Sequence, residues 1–338
     1  MRLIEELNQK YSSVSIIGLA KNAGKTVTLN YLIEEAYDLN IKLGLTSTGR
    51  DGERLDLVTE TEKPAIFVGE ETIIATAKSM LEIGDAGLEI LEATEFTSPL
   101  GNIVLCRVKE EGNVQLAGPS NATDTLSIKR KMLGYGADLV LIDGAIDRKA
   151  VASPRITDAC IIATGAVLSR DIRKVVTQTA YYASIFMLPG VKDFKLLNLK
   201  DHLTGTCIID DEYKLSYPEM RTSLGQGRTL RAMIDEKSRY IYLSGAVTTS
   251  MLKDLIVGEF NCTILIDDGT QVFSDYFSYN SLKKKGLKIE VMNPIRVEAI
   301  TVNPVAPLGY SFSSDELIRM IGETVESIKI IDVLGGGV

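Results

Sequence analysis

Short continuous apolar runs alternate along this chain with segments of helical spacing, and that alternation predicts an α/β protein. Residues 13–17, "SVSII", are a short β-branched run, the pattern of a buried strand. From Thr26 the apolar residues Val27, Leu29, Leu32, Ile33 and Ala36 follow helical spacing. Residues 41–48, "IKLGLTST", read as a second strand running into the polar "GRDGERLD". Strand, helix, strand is a crossover unit, which favours a mostly parallel sheet with helices on its faces. Further on, "PAIFVG", "GLEILEAT" and "GNIVLCRV" read as strands, with "EGNVQLAG" pairing against the last as a hairpin. "ETIIATAKSML" and "TDTLSIKRKML" read as helices. Residues 137–145 and 158–165 read as two more buried strands, and "SRDIRKVVTQTAYYASIF" as the helix after them.

The chain has 338 residues, more than one typical core, so two domains are expected. The boundary is placed at Pro189–Gly190, giving a nucleotide-binding domain over 1–190 and a smaller C-terminal α/β domain over 191–338, the candidate partner-binding part. The second half mixes strands ("CIIDD", "CTILIDD", "KIEVMN") with helices, the last opened by Ser313 and Glu316 at capping-box spacing.

Between the first strand and its helix lies "GLAKNAGKT", residues 18–26. The P-loop pattern is G-x-x-x-x-G-K-[ST] in that same context. Its glycines let consecutive N–H groups face phosphate oxygens, and the helix N-terminus adds partial positive charge. The lysine reaches the β- and γ-phosphates, and the hydroxyl holds Mg²⁺. Gly24, Lys25 and Thr26 fill the last three positions here, but the first glycine is Gly18, one residue early. The alternative is a plain helix start at Gly24 with Gly18 ending the strand.

With five residues between glycine and G-K-T, the loop resembles that of dethiobiotin synthetase. "KNAGKT" is also similar to the K-N-S-G-K-T of the molybdopterin-guanine dinucleotide biosynthesis B proteins. Both belong to the SIMIBI class of P-loop NTPases, and the likeness extends loosely over the layout of residues 13–190. It implies a P-loop NTPase domain with a mostly parallel sheet, binding ATP or GTP with Mg²⁺ through Lys21, Asn22, Ala23, Gly24, Lys25, Thr26 and Val27. Some relatives carry a lysine directly after the first glycine that reaches a phosphate across a dimer. Lys21 is out of that register, so solvent exposure or a contact to its own chain's nucleotide is expected, and a homodimer stays open.

Mg²⁺ takes oxygen ligands. "DLVLID" offers Asp143 at the end of a buried strand, the usual Walker B position. The SIMIBI resemblance implies an aspartate after the second strand that contacts Mg²⁺ or the attacking water, with Asp51 the first candidate and Asp56 the second; Arg50 and Arg54 are candidates to meet phosphate oxygens or a phosphorylated substrate. A solvated turn explains the same residues equally well. Asp147 and Arg148 are candidates for sensing the γ-phosphate. "LAGPSNATD" is either a second-substrate loop, as in dethiobiotin synthetase, or a helix cap.

The opening "LIEELNQKYSSVSIIGLAKNAGKTVTLNYLIEEA" resembles KamB-type proteins, described as reactivase subunits for adenosylcobalamin-dependent lysine 5,6-aminomutase of lysine fermentation. The resemblance implies an accessory NTPase acting on that aminomutase, with a companion ATPase. The D-x-H-x-x-G cobalamin pattern is absent.

Composition narrows the field. A net charge of -8 and a pI of 5.0 argue against a nucleic-acid surface, and Lys283, Lys284 and Lys285 read as a solvated helix end. No apolar run reaches membrane-spanning length, and the N-terminus does not read as a signal peptide. Four dispersed cysteines read as reduced thiols of a cytoplasmic protein. His202 is the only histidine, which excludes multi-histidine metal sites. Three readings remain: a reactivating NTPase, a small-molecule kinase or ligase of dethiobiotin synthetase type, and a non-hydrolysing nucleotide-binding regulator.

Overall fold

The N-terminal apolar residues Leu3, Ile4 and Leu7 are buried on one face of helix α1 (Leu3–Lys10). Its first turn is tied to the next helix by the Ile4 amide, which donates to the Glu35 carboxylate (2.9 Å); that carboxylate is held within its own helix by the Tyr31 hydroxyl (2.8 Å). The computed structural model of the protein describes residues 1–48, 65–218, 225–307 and 309–335, the side chains of 145–148 aside. After α1 come β1 (Ser13–Gly18), α2 (Lys25–Asp38), β2 (Leu43–Ser47), β3 (Ile66–Val68), β4 (Ile73–Ala77), β5 (Gly87–Ser98), β6 (Gly101–Glu110) and β7 (Gly112–Val114). Then follow α3 (Ala122–Gly134), β8 (Leu139–Ala145), β9 (Ala159–Gly165) and α4 (Ile172–Phe186).

The next stretch holds α5 (Phe194–Leu199), β10 (Cys207–Asp210), β11 (Leu215–Ser216), α6 (Gly227–Met233), β12 (Ser238–Leu243), β13 (Val247–Thr248) and α7 (Thr249–Leu255). It continues with β14 (Thr263–Ile266), β15 (Val272–Phe273), α8 (Tyr276–Lys284) and β16 (Ile289–Val291). The chain closes with β17 (Val297–Asn303), α9 (Ser314–Gly322) and β18 (Lys329–Asp332).

Two compact units result: Met1–Ala180 with Arg296–Val338, and Tyr181–Ile295. The first carries a nine-stranded sheet in the order β18-β17-β9-β1-β8-β2-β4-β6-β5. From β18 to β4 every pairing is parallel; β6 and β5 add an antiparallel edge. The expected mostly parallel α/β sheet is therefore present. Strands β1, β2, β4 and β9 are buried at every position, the mark of strands covered on both faces.

Three expectations need correction. The boundary at residue 190 does not split the chain in two, because β17 pairs with β9 and β18 with β17, returning residues 296–338 to the first unit. "ETIIATAKSML" is not a helix: β4 occupies Ile73–Ala77, and only a 3-10 turn, Lys78–Met80, follows. Five consecutive buried residues between β2 and β6 satisfy a strand better than a one-faced helix. "EGNVQLAG" does not pair with "GNIVLCRV"; β7 pairs antiparallel with β3, and the partners of β6 are β4 and β5.

The second unit is a five-stranded sheet in the order β11-β10-β12-β14-β16. β12, β14 and β16 run parallel with α7 and α8 as their crossovers, and β10 and β11 are antiparallel. Leu196, Cys207, Ile209, Tyr242, Leu265 and Met292 form part of its core. All four cysteines are free and buried; burial pushes the Cys106 and Cys207 thiols each up to about 11. Among the described residues no helix is long and apolar enough to cross a membrane.

Candidate functional site

β1 lies between β8 and β9, at the place where successive strands are laid down to opposite sides. In open parallel sheets the crevice outside the carboxyl ends at such a switch point is where ligands bind. Gly18, the last residue of β1, is in register with Ala145 of β8 and Ala163 of β9. The Leu19 amide donates to the Ala163 carbonyl (2.9 Å), extending the ladder by one residue before the chain curls.

The curl uses two left-handed residues, Asn22 at φ +62° and Gly24 at φ +97°. Glycine takes that region without penalty, and asparagine is among the few other residues that tolerate it. Gly24 then stands at the N-cap of α2, whose long axis places its partial positive end at the loop. Ala23 is buried, Val27 packs against the core below the loop, Thr26 is half-buried on the first turn, and Lys21 is exposed.

Lys25 folds back across Gly18: a Cβ on Gly18 would sit 2.5 Å from Lys25 Cγ and 2.6 Å from Cδ. A side chain at the strand exit would displace the lysine stem from this path. The Lys25 ammonium ends 3.7 Å from Asp143 Oδ1, with the two side chains only 16% and 13% exposed. Asp143 sits on β8 opposite Ile16 of β1 and Ser47 of β2. Asp143 does not end its strand as expected, since β8 runs on to Ala145, but it and the loop lysine, 118 positions apart by sequence number (143 − 25), meet near the carboxyl ends of the central strands.

On the β2 side, the Thr48 amide donates to the Asp143 carbonyl (2.9 Å). The "LAGPSNATD" segment is fastened beside it. Ser47 Oγ donates to the Leu116 carbonyl and accepts from the Gly118 amide (both 3.2 Å), while Thr76 Oγ1 donates to the Gln115 carbonyl (2.8 Å). Asn121 caps α3 by accepting from the Asp124 amide (2.8 Å), so the segment is a helix cap whose start is fastened to β2 and β4.

On the β9 side stand residues that sequence reading passed over. Thr301 Oγ1 of β17 lies 2.7 Å from Thr28 Oγ1, and Asn303 fills the space beside Gly24. Beyond them the Tyr310 hydroxyl donates to the Ala166 carbonyl (2.6 Å), and the Arg170 guanidinium stacks over the Tyr310 ring. The only local signal was a strand, "VEAITVN", ending in a polar side chain as "DLVLID" does.

Arg50, Asp51, Arg54 and Asp56 lie outside the described residues. Asp147 and Arg148 belong to the 3-10 segment Ile146–Ala152, and their side chains also lie outside the description. Among the described residues no three His, Cys, Asp or Glu side chains converge. Among the described residues, Asp143 and the Thr26 hydroxyl are oxygen groups of a type Mg²⁺ takes, and the curled loop at a helix start is of a type that receives anions. No protein-family model, curated protein or solved structure matches the chain.

Proposed function

We propose that this chain binds ATP or GTP with Mg²⁺ at the 18–26 loop and hydrolyses it as an accessory or reactivating factor for a metabolic enzyme. The client expected from the sequence is an adenosylcobalamin-dependent aminomutase, with a companion ATPase as the other protein partner. The observation that carries the nucleotide reading is Lys25, folded across Gly18 at a helix start with its ammonium 3.7 Å from Asp143 of β8. The two charges hold one another in a mostly dry place, where each needs a partner. A metal-bound triphosphate supplies each with a new one: phosphate oxygens for Lys25, the cation for Asp143.

In this reading the loop from Lys21 to Val27, with Asn22, Ala23, Gly24, Lys25 and Thr26 between them, receives the phosphates. Thr26 and Asp143 hold Mg²⁺, with Asp51 as the further carboxylate and as the orienting group for water. Mg²⁺ would neutralise phosphate charge there. Phosphoryl transfer asks mainly for such positioning and charge, so the fold need contribute little covalent chemistry.

Calorimetric titration with ATP and GTP, each with Mg²⁺, tests the reading. Wild type should bind one of them, and Lys25→Ala should abolish that binding; unchanged affinity in Lys25→Ala overturns the assignment. Stimulation of hydrolysis by the aminomutase would support the accessory role. The fastening of residues 115–118 to Ser47 of β2 and Thr76 of β4 favours a second reading, transfer to a small carboxylate substrate held by that segment. Stoichiometric phosphorylation of a carboxylate metabolite would decide for it.

A further inference from the structure

The Gly24 carbonyl accepts twice, from the Thr28 amide (2.8 Å) and from the Thr28 hydroxyl (3.0 Å). Thr28 Oγ1 also lies 2.7 Å from Thr301 Oγ1, and both residues are buried, at 0% and 1% exposure. A hydroxyl has one proton to give. With the Thr28 proton directed at Gly24, Thr301 is the donor within the pair. The result is a directed chain, Thr301 to Thr28 to Gly24, in which each bond polarises the next.

Asn303, two residues along the same strand, holds Gly24 from another side. A Cβ on Gly24 would sit 2.9 Å from Asn303 Cβ, so the strand packs against the bare glycine backbone. Asn303 is itself fixed, because its Oδ1 accepts from the Val305 amide (3.0 Å). The Gly24–Lys25 peptide is planar and trans, so its carbonyl and its N–H point in opposite directions. Anchoring the carbonyl down α2 turns the Lys25 N–H out of the helix start, toward the crevice.

We propose that Thr301 and Asn303 are positioning residues for the phosphate loop. β17 sets the Gly24–Lys25 peptide and through it the affinity for a triphosphate. The inference rests on the nucleotide-binding reading above and extends it to a strand that returns only after the second unit.

Thr301→Val keeps the side-chain volume and removes the donor; Thr301→Ser keeps the donor. Calorimetry with the Mg-triphosphate that wild type binds should show affinity about tenfold weaker in Thr301→Val, the size of one hydrogen bond. Thr301→Ser should recover it to within about twofold. The Lys25 amide resonance should shift in Thr301→Val and return in Thr301→Ser, a change that a purely structural role would not produce. Thr28→Val breaks the same chain from the helix side and must show the same loss, which keeps the test open if Thr301→Val does not fold. The double variant should be no weaker than either single, as expected for one shared interaction. Wild-type affinity in folded Thr301→Val or Thr28→Val, with Lys25→Ala inactive, overturns the positioning role and leaves the nucleotide reading intact. No binding by wild type overturns both.

Discussion

At the scale of single residues, Gly24 is constrained twice. Its φ of +97° disfavours any side chain, and Asn303 occupies the place where one would go. Lys25 and Asp143 carry the charges of the proposed site, and their roles separate by substitution. Asp143→Asn keeps the shape and removes the charge. Mg²⁺-dependent turnover should fall at least about tenfold, measured as kcat at saturating nucleotide across a Mg²⁺ titration. Turnover equal to wild type would move the Walker B role elsewhere. Gly24, Lys25 and Thr26 were legible as a local string, and Asp143 as the polar end of an apolar run. Thr301 was not, because its partner Thr28 lies 273 positions away and no local pattern encodes that pairing.

At the scale of elements, the strands and helices around the loop were readable because their apolar patterns are long and their ends are marked. α9 begins where its capping residue predicts, with Ser313 accepting from the Glu316 amide. β4 was misread because short apolar runs do not distinguish a buried strand from a buried helix. β7 was misassigned because a strand's own residues do not name its neighbour. One junction between elements yields a stability prediction. Asp158, just before β9, accepts from the amide and hydroxyl of Ser12 (2.9 and 2.7 Å) and of Ser13 (3.0 and 3.1 Å), tying the starts of β1 and β9. Burial pushes its carboxyl up, but these hydrogen bonds and the nearby Lys129 prevail and hold it below the ordinary range. A depressed folded value means that the stabilisation is present above the unfolded carboxyl range, near pH 4, and is lost as pH falls through the folded value. Asp158→Ala should therefore cost about 1–3 kcal/mol at pH 7 in urea unfolding. The difference from wild type should shrink below about pH 4. A pH-independent difference would assign the effect to packing instead.

At the scale of the whole molecule, two α/β bodies are legible in the sequence, but the line between them is not. A linear boundary suits chains whose domains follow one another, whereas here residues 181–295 are inserted within the first. Nothing in "VEAITVN" says which sheet it joins; that choice is settled by β9, whose free side accepts it. A fragment of residues 1–190 would lack β17 and β18 and leave that side bare. It should show no cooperative thermal transition by circular dichroism and no triphosphate binding by calorimetry. A cooperative, nucleotide-binding fragment would make β17 dispensable.

The insertion also has a consequence for the order of events during translation. The ribosome adds about 5–20 residues per second from the N-terminus. Every strand of the second sheet has been made by Val291, before β17 begins at Val297. The inserted body can therefore close while the nascent first sheet still ends at β9. Throughout that interval β9 is an open parallel edge, a template for wrong pairing. The sheet that starts the chain is the one finished last, so its vulnerable window is set by the time taken to synthesise its guest.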